Sequence, residues 1–224
     1  MSVLRRAGSF CRPGNLRLLA GKAAHGFDYF NIDYRLPGGF SLPPKSVCLI
    51  LSEKCNLRCR MCDIGGRGGS GASGMVRSIG SGAAAMGIRD WLAVLDDLAA
   101  FTPRPLVLLT GTEPLVSPHA EAVIAGVAER GLPLHITTNG ALLERHARFI
   151  AEQCRRSVAA DIAVSLDGPP AVHDDIRGVP GTYAAAVRGM QAVAAAREKL
   201  GSRFPRLSIT AQEEHQFGEG GLRG

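Results

Sequence analysis

Apolar residues along the chain fall into two alternating rhythms. Short apolar runs recur at Val47–Ser52, Pro105–Thr110, Leu132–Thr137, Asp161–Ser165 and Leu207–Thr210, the length and content of buried strands. Between them lie longer segments with a period near that of a helix. Ile88–Phe101 places Trp91, Leu92, Leu95, Leu98 and Ala99 on one face. Ala120–Gly131 predicts a second helix that stops on glycine, Ala141–Arg155 a third, and Thr182–Leu200 a long alanine-rich one followed by Gly201. Residues 65–87 are rich in Gly, Ser and Ala and read as a loop. They lack the Lys-Ser/Thr ending of a phosphate-binding loop.

Strands alternating with helices imply right-handed crossovers and a parallel sheet. Five such units curled one way make an α/β fold, a partial (βα) barrel that is incomplete at its C-terminal side. In such barrels reactive groups gather at the C-terminal ends of the strands. Polar residues sit at four successive strand ends: the cysteine loop after the first, Thr110-Gly111-Thr112-Glu113-Pro114, Thr137-Thr138-Asn139-Gly140, and Ser165-Leu166-Asp167-Gly168-Pro169. Each alone is an ordinary turn or helix start. Together they point at one mouth.

The chemistry enters with Cys55, Cys59 and Cys62, spaced C-x3-C-x2-C immediately after the first strand. Three thiolates at this spacing hold three irons of a cubane cluster and leave the fourth open, whereas clusters held by protein alone take four cysteines. Zinc is the competing reading, with His119, His135 or His173 as a fourth ligand. Structural zinc, however, favours two paired ligand clusters, and Cys11, Cys48 and Cys154 are scattered.

Composition narrows the class. The 224 residues are 46% hydrophobic and 21% charged, which suits one globular domain. Clustered cysteines without a pairing framework read as a reducing, cytoplasmic setting. No apolar run reaches membrane-span length. The net charge of +6 is dispersed, and 5% aromatic content is too little for a base-stacking platform, so no nucleic-acid partner is expected. Residues 1–45 read as an N-terminal extension, with an organelle transit segment as the lesser reading of its basic, acid-free start. Residues 46–211 form the core. Residues 212–224 are polar and glycine-rich, and read as a non-native-looking or disordered tail, the mark of a truncation, a frameshift or a genuine partial domain.

Over residues 46–211 the chain resembles the radical S-adenosylmethionine (SAM) superfamily. Besides the cysteines, Gly111-Thr112-Glu113-Pro114 resembles that family's Gly-Gly-Glu-Pro motif, with Thr112 in place of the second glycine. Ser165-Leu166-Asp167-Gly168-Pro169, His173-Asp174-Asp175-Ile176-Arg177-Gly178 and Gly181-Thr182-Tyr183 resemble the SPASM-like branch of sulfatase-maturating and peptide-modifying enzymes. The resemblance implies an oxidoreductase with a [4Fe-4S] cluster on Cys55, Cys59 and Cys62. Reductive cleavage of SAM there gives a 5′-deoxyadenosyl radical for hydrogen abstraction. It implies SAM contacts at Met61 (near adenine), at Gly111, Thr112 and Glu113 (the methionyl amine), and at Ser165 and Arg177 (the ribose hydroxyls and methionyl carboxylate). It further implies a flavodoxin- or ferredoxin-like one-electron donor, and a substrate that includes peptides or proteins among the candidates. The alternatives are a catalytically incomplete cluster- or SAM-binding fragment and a zinc-stabilised interaction module.

Overall fold

The computed structural model describes residues 43–62 and 86–211. The expectations for the tail, and almost all of those for the N-terminal extension and the glycine-rich loop, fall outside these residues.

Five strands form one parallel sheet in sequence order: β1 (Ser46–Leu49), β2 (Leu106–Leu109), β3 (Leu134–Thr138), β4 (Ala160–Ser165) and β5 (Arg206–Thr210). The connecting helices are α1 (Ile88–Ala100), α2 (Ala120–Glu129), α3 (Leu143–Cys154), α4 (Pro170–Arg177) and α5 (Thr182–Lys199). Among the described residues the sheet is open, five units of the expected barrel rather than a closed ring.

Register explains how alternation becomes a core. Leu49, Leu109, Ile136, Ile162 and Leu207 are cross-strand neighbours in one row, on the face packed by helices. Cys48, Leu108, His135, Asp161 and Arg206 form the next row, which points the other way. The exposed Arg206 guanidinium donates two bonds to the Asp161 carboxylate, at 2.8 and 2.9 Å, and so ties β5 to β4 side by side. On the helices, the stripe of α1 buries Trp91, Leu95 and Leu98 as its spacing requires. Ile124 of α2, Leu143 and Ile150 of α3 and Val193 of α5 complete the layer at 0% exposure.

Two short elements escape a hydrophobic pattern. Glu113 opens a single 3₁₀ turn, Pro114–Val116, by accepting the Leu115 N–H. Helix α4 buries His173, Ile176 and Arg177. Those residues are at i, i+3 and i+4, a helical face, but two of the three are polar.

Asp174 on α4 caps the start of α5. Its carboxylate accepts the Gly181 N–H at 2.6 Å, and the Thr182 hydroxyl and Tyr183 N–H at 2.8 Å each. The amides of Tyr183 and Gly181 hold this carboxyl below the usual aspartate range. A depressed folded-state pKa means that the cap contributes above the unfolded value and is lost as pH falls through the folded one. Asp174→Ala is therefore expected to lower the melting temperature near neutral pH, with Asp174→Asn intermediate. The gap to wild type should close below the ordinary carboxylate range. A gap that stayed constant down that pH series would remove the charge from the account.

Candidate functional site

The C-terminal strand ends and the start of the cysteine loop enclose a cavity of about 600 Å³. Cys55, Cys59, Cys62 and Met61 line it from the loop after β1, Gly111, Thr112 and Glu113 from the end of β2, Ser165 from β4, and Arg177 from α4. Every residue expected at the site thus meets at one place. The zinc candidates do not: His119 precedes α2, His135 lies within β3 and His173 is buried in α4, none of them lining the cavity. Cys48 on β1 and Cys154 on α3 are also outside it, and Cys11 lies outside the described residues. Burial pushes the Cys154 thiol up to about 12, so it behaves as an inert core group.

The cysteine loop is tied down at three levels. The Thr112 hydroxyl donates to the Ser52 carbonyl. The Asn139 side-chain NH₂ donates to Asn56 Oδ1 at 2.8 Å, and is aimed there because Asn139 Oδ1 accepts the Ala141 N–H. Further along, the Arg58 N–H donates to the Arg177 carbonyl at 3.2 Å and the Arg60 N–H to the Ile176 carbonyl at 2.8 Å. Gly111 adopts φ +99°, and a Cβ there would come within 2.9 Å of the Ile50 side chain, so this glycine lets β2's end pass under the start of the loop.

Glu113 is 1% exposed, yet three donors converge on it. Oε1 accepts the Thr138 hydroxyl at 2.9 Å and the Leu115 N–H at 3.1 Å, and Oε2 accepts the Asn139 N–H at 2.8 Å. Burial pushes its carboxyl above the ordinary range, and these three donors oppose that shift. The carboxylate thereby locks the ends of β2 and β3 together at the cavity wall.

Arg177 and Asp167 form a buried ion pair beside the cysteines. The Arg177 Nε donates to Asp167 Oδ2 at 2.6 Å and its Nη1 faces Cys59 Sγ at 3.8 Å. Asp167, whose side chain is 1% exposed, also lines the cavity. Behind the pair, His173 Nδ1 accepts the Asp167 N–H at 3.2 Å. That bond leaves the imidazole proton on Nε2, which is buried without a hydrogen-bond partner. Burial and the nearby guanidinium both hold His173 below its usual pKa, keeping it neutral.

The donor set suits a cluster better than one ion. Among the described residues no group of three or more His, Cys, Asp or Glu side chains could hold a single metal ion. The three thiols instead share a cavity wide enough for a larger group. Desolvation raises the Cys55 and Cys59 thiols above their ordinary value, with Arg177 opposing it at Cys59. They must shed protons to become ligands.

The family model described as the Radical SAM superfamily matches residues 49–201, more than half of the chain. The chain belongs to the radical SAM superfamily. Radical SAM enzymes take a [4Fe-4S] cluster and SAM as cofactors. Among curated relatives, the chain is 34% identical over 112 residues to the Fe-coproporphyrin III synthase of Methanosarcina barkeri, covering 50% of this chain and 27% of that protein. It is 29% identical over 149 residues to the AdoMet-dependent heme synthase of the same organism, covering 66% and 38%. The chain thus spans well under half the length of these relatives. Streptococcus suis SuiB, solved with SAM and with its precursor peptide SuiA, shares the radical SAM fold. Its TM-scores are 0.54 and 0.53 at 17% and 18% identity, over 77% of this chain and 36% and 34% of those chains. No described helix is long and apolar enough to cross a membrane.

Proposed function

We propose that this chain is the cofactor-binding core of a radical SAM enzyme. In this reading Cys55, Cys59 and Cys62 hold the [4Fe-4S] cluster, while Met61, Gly111, Thr112, Glu113, Ser165 and Arg177 hold SAM. The observation that carries it is that all nine residues, from distant parts of the sequence, line one cavity at the strand ends. Together the reduced cluster and SAM supply a 5′-deoxyadenosyl radical that abstracts hydrogen from the substrate.

The chain's own residues do the positioning. Among the described residues Glu113 Oε2 accepts one protein bond, from the Asn139 N–H, which leaves it capacity for an ammonium group at the cavity wall. Arg177, already neutralised in part by Asp167, offers a planar cation to a carboxylate beside the Cys59 corner. Glu113 and Arg177, at 1% and 9% exposure, are largely withdrawn from water, which strengthens each of these interactions. An electron enters from a flavodoxin- or ferredoxin-like donor.

Two substrate classes are supported. The names of the curated relatives favour a porphyrin, and the motifs shared with peptide-modifying enzymes favour a peptide. The curated relatives, at 34% and 29% identity, rank the porphyrin first.

Anaerobic reconstitution tests the whole reading. Iron and sulfide near four each per chain, with methionine and 5′-deoxyadenosine formed on reduction, are the expected result. A cluster without SAM cleavage would leave only the incomplete-fragment reading, and bound zinc alone only the interaction module. Faster 5′-deoxyadenosine formation with iron-coproporphyrin III than with peptides would choose the porphyrin. Within the site, Arg177→Ala in a cluster-loaded sample is expected to weaken SAM binding by about 1.5–3 kcal/mol, the scale of a hydrogen bond to a charged group. SAM affinity equal to wild type, measured by equilibrium binding, would remove Arg177 from the SAM site.

A further inference from the structure

We infer that the C-terminal end of α4 is a seat on which the cysteine loop is set, and that Gly178 is the positioning residue that makes it possible. The inference rests on the cluster assignment just proposed. An α-helix ends with carbonyls that have no partner within the helix. Here two of them, at Ile176 and Arg177, accept the N–H groups of Arg60 and Arg58. Those donors are alternate residues of the loop, and Cys59 is the residue between them. Two main-chain bonds therefore fix the backbone on either side of this buried thiol.

Gly178 closes the helix at φ +71°. A Cβ on it would stand 2.5 Å from the Arg58 carbonyl oxygen and 3.2 Å from the Arg58 carbonyl carbon. Both are main-chain atoms of the loop, so no rotamer relieves the collision. The glycine is needed twice, for its left-handed backbone and for the close approach. Arg177, one residue earlier, sets its carbonyl on the loop while its guanidinium faces Cys59 Sγ. The seat thus fixes both the thiol and the cation beside it. The exposed Arg60–Asp175 ion pair, at 2.9 Å, spans the same seam and adds little.

Gly201 supplies the control. It also has positive φ, at +58°, but a Cβ there would meet nothing within 4 Å. Gly178→Ala and Gly201→Ala share the conformational penalty and differ in the collision. After anaerobic reconstitution, Gly201→Ala is expected to bind iron and sulfide as wild type does. Gly178→Ala should bind several-fold less iron per chain while its far-ultraviolet circular dichroism stays that of a folded α/β protein. The electron paramagnetic resonance spectrum of the cluster it does hold should differ from that of Gly201→Ala. Equal loading and equal spectra in the two variants would overturn the inference. Failure of wild type itself to load a cluster would overturn the underlying cluster assignment instead, and the inference with it.

A second measurement needs no variant. Hydrogen exchange in the wild-type chain should show the Arg58 and Arg60 amides protected, although both side chains are exposed. Unprotected amides at both positions would refute the seat even if Gly178→Ala proved unable to fold.

Discussion

Alanine at Cys55, Cys59 or Cys62 is expected to abolish the broad visible absorption of the reconstituted protein, near about 400 nm for such clusters, and all reductive cleavage of SAM with it. In the proposed assignment each cysteine is one of three protein ligands, so losing one would leave two iron atoms without a thiolate rather than one. Cys154→Ala should keep both signals. That thiol is 1% exposed on α3, in the helix-covered core, and its cost is a small cavity. Cys48→Ala, on β1 and outside the cavity, should also keep them. Loss of absorption in Cys154→Ala with retention in Cys59→Ala would reverse the ligand assignment.

The largest expected loss of stability is at Glu113. Glu113→Ala strands three donors that now converge on one buried carboxylate: the Thr138 hydroxyl and the Leu115 and Asn139 amides. A stranded buried donor costs about 1–3 kcal/mol. With cavity water reaching some of them, a total on the order of 3 kcal/mol is expected in denaturant unfolding. Glu113→Gln should cost less. Its carbonyl oxygen can keep the two Oε1 bonds, but its NH₂ then faces the Asn139 N–H, donor against donor. Unfolding midpoints for both variants that coincide with wild type would show that the carboxylate does not hold the ends of β2 and β3 together.

Most of the fold was legible because its strands and longer helices bury apolar side chains at regular intervals. The stripe of α1 and the apolar runs of β2 to β4 are of this kind, and the observed boundaries lie within two residues of those expected there. β1 ends at Leu49, three residues before the apolar run does. Ile50 leaves the sheet to lie against Gly111, which hydrophobicity alone does not foretell. Helix α4 was hidden for a different reason. Asp167-Gly168-Pro169 signals a turn, and the helix that follows buries an imidazole and a guanidinium, so its inner face reads as polar. That the candidate site residues would share one cavity was legible through the resemblance of their motifs. The links among them were not: Thr112 to Ser52 and Asn139 to Asn56 join remote positions, visible only once the strand ends meet, and Asp167 to Arg177 is made by the turn into α4. Asp174 illustrates how a motif can be recognised before its reason is. It caps the helix opened by Gly181-Thr182-Tyr183, and so accounts for the company those residues keep.

The bonds that hold Arg58 and Arg60 to α4 come from their amides, not their side chains. A mutational scan across the loop should therefore be lopsided. Positions 58 and 60 should accept almost any amino acid and reject proline, the one residue without an N–H to give. Position 59 should reject everything. The identities of two residues are free to drift in evolution while their backbones are not, so a list of tolerated sequences would mark them as unimportant at the very places where the loop is anchored.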